Sequence, residues 1–170
     1  MLLYLVNFQS MWANYVLELL KDAFAFKIKA KELDIPLAAY NPFRKQFSAQ
    51  LLLDYVVERY KDGLVFAIID EDIYDSNYNF VFGLAYPFRG AIVSTYRLKN
   101  FERIKKEVLH EMGHVFGLGH CNNYCVMRFS NSVFEVDEKP DKYCENCYRE
   151  ILNNGFYVNP KYVIFKENYN

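Results

Sequence analysis

All three histidines of the chain lie in one eleven-residue stretch, HEMGHVFGLGH, at positions 110–120. His110 and His114 are four residues apart, so on a helix they share one face and can reach a common ion. His120 can join them only if the chain turns sharply. Gly117 stands where that turn is needed, because glycine enters left-handed backbone conformations without a steric cost. The stretch therefore predicts a helix that ends near Gly117 and three imidazoles that converge on one metal.

Glu111 follows the first histidine directly, and a helix places it beside the metal face rather than on it. Three neutral histidines leave Zn²⁺ one open position, which is typical of catalytic zinc sites. Zinc lowers the pKa of a water held there toward about 7, and Glu111 could take that proton and pass it to a leaving amine. The full spacing arises by chance in about one chain of this length in a hundred thousand. We therefore favour a catalytic zinc over histidines that only fill the core or the surface.

The four cysteines form two close pairs, C-x3-C at Cys121 and Cys125 and C-x2-C at Cys144 and Cys147. Two thiolate pairs separated by a loop match a closed tetrahedral zinc site, which contributes folding energy. The loop between them contains the charged run DEKPDK, which is too polar to pack by itself. Two disulfides, free buried thiols and an iron–sulfur cluster remain alternatives. Because Cys121 follows His120 directly, a structural ion should also fix the third histidine.

The composition limits which binding partners and which cellular compartment are expected for the chain. The chain has 170 residues, 52% of them hydrophobic, which suits one domain with a real core, and its net charge of −1 argues against a nucleic-acid partner. No apolar run is long enough for a transmembrane helix. The apolar start, MLLYLVNFQSMW, has no basic residue ahead of it and indicates a buried strand rather than an export signal. We expect a monomer in the cytoplasm, where reducing conditions favour metal over disulfides.

Strands and helices alternate over the first hundred residues. Strands are predicted at residues 2–8, 26–33, 64–69, 80–85 and 91–96, and helices at 11–24, 44–61 and 100–117. Ser10 is the expected cap of the first helix. A short helix after Cys147 and a strand near 162–165 complete the chain. The pattern predicts an α/β (α+β) layer with a largely parallel sheet in a single domain, with an N-terminal part (1–117) and a C-terminal part (118–170).

An acidic loop, DEDIYDSNYN, follows the strand at 64–69. Asp70, Asp72 and Asp75 recur in it as they do in calcium loops. The EF-hand template, however, needs a glycine at its sixth position and a glutamate at its twelfth, and both are missing. We predict a solvated loop rather than a calcium site.

The histidine stretch with a methionine beyond it resembles the metzincin clan of zinc metallopeptidases. HEMGHVFGLGHCNNYCVM followed by CENC resembles the archaemetzincin family more specifically, over residues 110–147. The resemblance implies a metzincin-like zincin fold: a twisted mixed five-stranded sheet backed by helices, with a zinc cleft and a small C-terminal subdomain held by zinc. It also implies that Met127 is the Met-turn residue, which forms an apolar floor under the zinc ligands.

In that fold an antiparallel edge strand borders the cleft, and Phe82, Gly83 and Leu84 are the candidates here for binding an extended peptide by strand addition. Gly83 would allow close backbone approach. The expected cofactors are two Zn²⁺, one catalytic and one structural, and the expected substrate is a peptide or protein. Tyr124 and Tyr143 are candidate groups for stabilising the oxyanion.

Two other functions remain open from the sequence. One is a zinc amidohydrolase that acts on a small amide, which a small closed pocket would favour over a long cleft. The other is a non-catalytic, zinc-stabilised module that binds peptides. The presence of Glu111 argues against such a module, because a protein that only binds peptides does not need the base.

Overall fold

A computed structural model describes residues 1–166, and residues 167–170, part of the predicted C-terminal part, lie outside the described residues. The strands of the described part are β1 (Leu2–Phe8), β2 (Lys27–Glu32), β3 (Tyr40–Asn41), β4 (Gln46–Ser48), β5 (Leu64–Ile69), β6 (Ile73–Tyr74), β7 (Gly83–Tyr86), β8 (Gly90–Ser94), β9 (Tyr143–Cys144) and β10 (Val163–Ile164). Its α-helices are α1 (Ala13–Ala23), α2 (Ala49–Arg59), α3 (Phe101–Val115), α4 (Val133–Glu138) and α5 (Glu145–Asn153).

The main sheet has five strands in the order β2-β1-β5-β8-β7. The first four run parallel, and β7 pairs antiparallel with β8 across a short connection between Tyr86 and Gly90. β5 lies at the centre and all of its residues are buried, as its uninterrupted apolar sequence predicts. The prediction of a mixed five-stranded sheet with an antiparallel edge strand is confirmed.

Helices cover both faces of this sheet. In β1, Leu3 and Leu5 belong to one buried apolar cluster together with α1 and α3, whereas Tyr4 and Val6 belong to a second cluster together with α2. Neighbouring residues of a strand point to opposite faces, so both faces of β1 are buried. The predicted α/β layer is therefore present, with helices on either side.

The helix α3 carries the first two histidines. Its N-terminus is capped by Asn100, whose side-chain oxygen accepts a 2.9 Å hydrogen bond from the backbone N–H of Arg103. The helix ends in a turn at Gly117, which has φ +95°. The N–H of Leu118 then bonds to the C=O of Gly113 at 3.0 Å, the closure expected for a left-handed glycine cap. The predicted glycine turn is confirmed.

Two predicted helix starts are wrong because the residues at those starts form tertiary contacts instead of helix. The helix α1 begins at Ala13, and Ser10 does not cap it; Ser10 is buried and its hydroxyl donates to Asp70 Oδ1 at 2.6 Å. The helix α2 begins at Ala49 with Ser48 as its cap. The residues before it form β4, which pairs with β3 and β6 in a small second sheet.

The acidic loop differs from its prediction at two positions. Asp70 Oδ1 also accepts a 2.6 Å hydrogen bond from the Thr95 hydroxyl, and Asp72 forms an ion pair with Arg97 at 2.9 Å. These two carboxylates therefore tie loops at the carboxyl ends of β5 and β8 together, so the prediction that they are solvated is wrong. None of the potential metal-ligand groups within residues 1–166 includes them.

The strands near the cleft are displaced from their predicted bounds. β7 covers 83–86 rather than 80–85, and β8 covers 90–94 rather than 91–96. The carbonyl of Phe82 still accepts a 2.9 Å hydrogen bond from the N–H of Ser94. The ring of Phe80 instead stacks under the guanidinium of Arg97, at 3.8 Å from the ring centroid, before the regular pairing begins.

The segment between the two cysteine pairs is more ordered than its polar sequence predicts. It contains α4, and its charges pair with cations of α3: Arg103 binds Asp137 through two hydrogen bonds of 2.7 and 2.8 Å, and Lys105 binds Asp141 at 2.9 Å. The helix α5 begins before Cys147 rather than after it. The terminal strand is present as β10.

Residues after the histidine turn share their core with the sheet. Val126, Tyr143 and Ile151 are fully buried in the same apolar cluster as α1 and α3. The division into parts 1–117 and 118–170 stays a prediction. Within residues 1–166, no helix combines the length and the apolar character that crossing a membrane requires.

Candidate active site and metal centres

The three histidines meet at one point of the structure. His110 and His114 lie one turn apart on α3, and their Nε2 atoms are 3.1 Å apart. The ring of His120, brought round by the turn after α3, lies 5.4 Å from the His110 ring and 4.9 Å from the His114 ring, measured between centroids. The sequence prediction that these imidazoles converge describes the observed positions.

Hydrogen bonds decide which ring nitrogens are available to a metal. His110 Nδ1 lies 2.8 Å from the carbonyl of Val126, and His114 Nδ1 lies 2.8 Å from the carbonyl of Leu118. Because a carbonyl can only accept, each Nδ1 carries the proton and each Nε2 presents a lone pair. Two facing lone pairs at this distance repel each other unless a cation lies between them.

The donor set fits zinc. Bonds of 2.0–2.1 Å at a tetrahedral angle place two ligand nitrogens about 3.3 Å apart, close to the observed Nε2 separation. Burial also lowers the pKa of His110 well below its ordinary value, and lowers those of His114 and His120. All three rings are therefore held in the neutral form that binds a metal.

Glu111 is buried against the edge strand. A Cβ atom at Gly83 of β7 would lie 2.8 Å from Glu111 Cγ and 2.6 Å from the carbonyl oxygen of Ile92. Only glycine therefore lets the strand approach this glutamate so closely. Burial raises the pKa of Glu111 to about 8, with a further contribution from the neighbouring Glu107.

These groups line one cleft of about 300 Å³ between α3 and β7. His110, Glu111, His114 and His120 are among its polar lining groups, the predicted edge-strand residues Phe82, Gly83 and Leu84 also line it, and the ring of Phe129 packs edge-on against His120. The cleft thus combines an apolar wall with a small number of converging polar groups, as ligand sites usually do.

The four cysteines form a second cluster. Their sulfur atoms lie within 4.8 Å of one another, and Cys121 Sγ is 3.9 Å from Cys144 Sγ. A disulfide needs about 2.05 Å, so the disulfide alternative is not what the structure contains. Tetrahedral zinc–thiolate bonds of 2.3 Å imply sulfur separations of about 3.8 Å. The cluster therefore has the dimensions of a four-thiolate zinc site.

The local hydrogen bonds favour thiolates in this cluster. Cys125 Sγ accepts from the backbone N–H of Cys144 at 3.2 Å and from that of Met127 at 3.4 Å. A hydrogen bond from Cys147 and these two amides together lower the pKa of Cys125 to about 6. A thiolate is the form that binds zinc.

One short segment joins the two clusters. Cys125 belongs to the sulfur cluster, the next carbonyl, that of Val126, accepts from His110, and Met127 is fully buried against α3. A Cβ atom at Gly113 would collide with Met127 Sδ. Met127 therefore packs directly against the residue that precedes His114, and its role as the Met-turn residue stays a prediction.

Neither tyrosine proposed for the oxyanion lies in the cleft, so both predictions are wrong. Tyr143 is fully buried, and its hydroxyl donates to the carbonyl of Leu109. Tyr124 is 61% exposed and is not among the residues that line the cleft. Tyr143 serves packing under α3, and Tyr124 lies on the surface.

Sequence reasoning missed a buried ion pair beside the histidines. Glu107 and Lys139 are both buried, and Lys139 Nζ lies 2.9 Å from Glu107 Oε1 and 3.4 Å from His110 Nδ1. Helical spacing could have found Glu107, because it lies three residues before His110 and four before Glu111. Nothing in the sequence distinguishes Lys139 from the other lysines of its charged run.

A parallel sheet with one antiparallel edge strand, over a helix that supplies two of three converging histidines, defines a zinc metallopeptidase. The model of peptidase family M54 matches residues 28–153. The archaemetzincin of Pyrococcus horikoshii is 43% identical over 133 residues, which are 68% of this chain and 71% of that protein. The archaemetzincin of Methanocaldococcus jannaschii is 40% identical over 141 residues, 75% of this chain and 78% of that protein.

Solved structures agree with this assignment. The archaemetzincin crystal structure from Methanopyrus kandleri matches with a TM-score of 0.82 and 36% identity, over 91% of this chain and 94% of that chain. The one from Archaeoglobus fulgidus, complexed with malonate, matches with a TM-score of 0.78 and 33% identity, over 88% and 99%. The chain therefore belongs to peptidase family M54, with the metzincin-like fold of the archaemetzincin structures. The predicted family, fold and metallopeptidase activity are confirmed, and the two alternative functions are not favoured.

Proposed function

We propose that this chain hydrolyses peptide bonds with a catalytic zinc held by His110, His114 and His120 and with Glu111 as general base and acid. The observation that carries the proposal is the meeting of two unprotonated Nε2 atoms, 3.1 Å apart, with the third imidazole beside them and a buried glutamate in the same cleft. Bound zinc supplies an electrophile for the scissile carbonyl and lowers the pKa of a water.

Glu111 moves the proton in this scheme. Its carboxylate takes the proton of the attacking water and later delivers it to the nitrogen of the leaving amine. Close packing against Gly83 keeps the carboxylate oriented towards the cleft, because the strand leaves it little room to rotate.

The substrate is proposed to be a peptide in extended conformation. β7 is the last strand of the sheet, so its outer edge is available for a further strand. Phe82, Gly83 and Leu84 are the proposed contact residues, and the apolar wall that Phe82 and Phe129 contribute suits an apolar substrate side chain.

A second zinc is proposed at Cys121, Cys125, Cys144 and Cys147, with Met127 as the Met-turn residue. This structural ion is supported by the sulfur separations and by the amides that point at Cys125. Reduced thiolates of this kind support a cytoplasmic location, because an oxidising compartment favours disulfides. We also propose a monomer without a nucleic-acid partner, in line with the net charge of −1.

The experiment compares the wild type with Glu111→Ala, measuring zinc content and cleavage of a peptide library. Both proteins should carry about two zinc ions per chain, because Glu111 is not a ligand. The variant should lose turnover by about 10²–10⁴-fold, the usual contribution of a positioned general base. Equal cleavage by both proteins would show that Glu111 has no such role.

A further inference from the structure

The three imidazoles of the histidine site are not held in place by the same means. The Nδ1 atoms of His110 and His114 each lie 2.8 Å from a backbone carbonyl, which fixes the orientation of both rings. Within residues 1–166, neither ring nitrogen of His120 forms a hydrogen bond. Metal-bound histidines almost always donate their second ring N–H to such a partner, because it sets the orientation of the ring. His120 therefore needs another group to orient it.

His120 is also the least buried of the three histidines. His110 is 5% exposed and His114 is half-buried, whereas His120 lies on the surface. A buried ring is confined by its neighbours, but an exposed side chain can change between staggered rotamers. Every rotamer of His120 that faces away from the other two imidazoles takes one ligand from the site.

The ring of Phe129 packs against this exposed imidazole. The two ring centroids are 5.1 Å apart and the ring planes meet at 61°, which is an edge-to-face arrangement. The other rings that lie against His120 are those of His110 and His114, the two remaining candidate ligands. Among the described residues, Phe129 is therefore the one aromatic neighbour of His120 from outside the ligand set.

The backbone holds Phe129 in this place although its ring is 44% exposed. The N–H of Cys121 bonds to the C=O of Met127 at 3.0 Å, so the residue after the third histidine lies against the residue two before Phe129. The carbonyl of Arg128, the residue directly before Phe129, accepts a 3.2 Å hydrogen bond from the buried ammonium of Lys139. The ring is thus attached to a fixed stretch of chain beside the histidine.

We propose that Phe129 is a positioning residue for the third zinc ligand: its ring confines the His120 imidazole to the rotamer that faces His110 and His114. The inference rests on the proposed function, because it takes these histidines as the ligands of the catalytic zinc. Apolar packing does for His120 what a carbonyl does for each of the other two rings. The same phenylalanine lines the cleft, so one side chain contributes to the wall of the cleft and to the metal site.

The test compares the zinc affinity of wild type, Phe129→Ala and Phe129→Leu by competition with a chelator. His120→Ala, which lacks the ligand itself, identifies the zinc that belongs to the histidine site. Phe129→Ala should bind that zinc about 10-fold more weakly, as expected when a group that orients a ligand is lost. Phe129→Leu should recover most of the affinity, because its branched side chain keeps apolar bulk beside the imidazole.

A second measurement separates ring orientation from a general loss of structure. Long-range proton–nitrogen NMR spectra of the zinc-loaded proteins distinguish coordinated from free imidazole nitrogens. In Phe129→Ala the His120 signals should broaden, whereas those of His110 and His114 should stay as in wild type. Phe134→Ala is the matched control, because Phe134 is a 75% exposed ring of the same segment that does not line the cleft. It should leave the zinc affinity and all three sets of signals unchanged.

Equal zinc affinity of folded Phe129→Ala and wild type would overturn the proposal, as would Phe129→Leu binding zinc as weakly as Phe129→Ala. Broadening of all three sets of histidine signals together would show that the substitution loosens the whole site, and the proposal would be wrong. If Phe129→Ala does not fold, Phe129 serves the fold rather than the ligand, which also contradicts the proposal. A wild type that binds no more zinc than His120→Ala would instead contradict the proposed function itself, which distinguishes the two failures.

Discussion

Residues 1–117 and residues 118–166 reach order by different means. In the first part, regular strands and helices bury apolar side chains on both faces of one sheet, and β5 is buried along its entire length. In the second part the elements are short. This part contains the four clustered cysteines and forms ion pairs with α3. Both parts share one buried apolar cluster, and residues 118–166 add to it the ion pairs to α3 and the clustered thiols.

The largest effect on stability is expected from Cys125→Ser. Loss of this thiolate should release the proposed structural zinc, since zinc binding contributes on the order of 10 kcal/mol in small zinc domains. Hydrogen exchange should then show lost protection in residues 118–166 while β5 stays protected, and catalytic zinc should weaken because the carbonyl of Val126 no longer orients His110. Tyr124→Phe, an exposed change in the same loop, is the control. Unchanged hydrogen-exchange protection in residues 118–166 would show that the order of this part does not depend on the proposed zinc.

The next largest effect, a loss of unfolding free energy, is expected from Phe66→Ala in β5. Phe66 is fully buried at the centre of the sheet, and truncation of such a ring costs about 3–5 kcal/mol of unfolding free energy. Denaturant unfolding should show this loss while the folded variant keeps its full zinc content, since no metal ligand moves. Zinc loss from the folded protein would mean that the scaffold and the metal region are not stabilised separately.

Gly83→Ala should affect turnover more than stability. The added methyl group would overlap Glu111 Cγ and the carbonyl of Ile92, so Glu111, the proposed general base, must shift. A displacement of this kind can cost about 10²-fold in rate. Steady-state kinetics should show a fall in kcat with zinc content unchanged. Equal kcat in both proteins would show that the contact between the strand and Glu111 does not orient the base.

The smallest effect is expected from Gly113→Ala, with Gly119→Ala as its matched control. A methyl group at residue 113 meets Met127 Sδ, whereas nothing lies within 4 Å of one added at residue 119. Overpacking of this kind costs about 1–3 kcal/mol, and the control should stay within about 0.5 kcal/mol of wild type. Thermal unfolding of the two variants measures the difference. Equal stabilities of the two variants would show that Met127 does not pack against Gly113 of α3.

Elements whose stability is local could be predicted from the sequence. The apolar run of β5 and the left-handed turn at Gly117 follow from periodicity and from glycine chemistry, and both are present. The convergence of the histidines followed from the same turn. The sulfur cluster could be anticipated because cysteine spacing reports directly on which thiolates can share one ion.

Features that depend on distant partners could not be predicted. Ser10 looks like a helix cap, but its hydroxyl bonds to Asp70 across the ends of two strands. The charged run around Lys139 is too polar to pack by itself, yet its charges meet cations and carboxylates of α3. In each case a polar side chain has a local and a non-local use, and only tertiary packing decides between them.

The most direct test of the account is the location of zinc by anomalous scattering at its absorption edge in crystals of the protein. The account predicts one ion within about 2.1 Å of the Nε2 atoms of His110, His114 and His120, with no fourth protein ligand, and a second ion among the four sulfur atoms. Histidine rings that point apart, or a protein side chain that completes the coordination of the first ion, would contradict it.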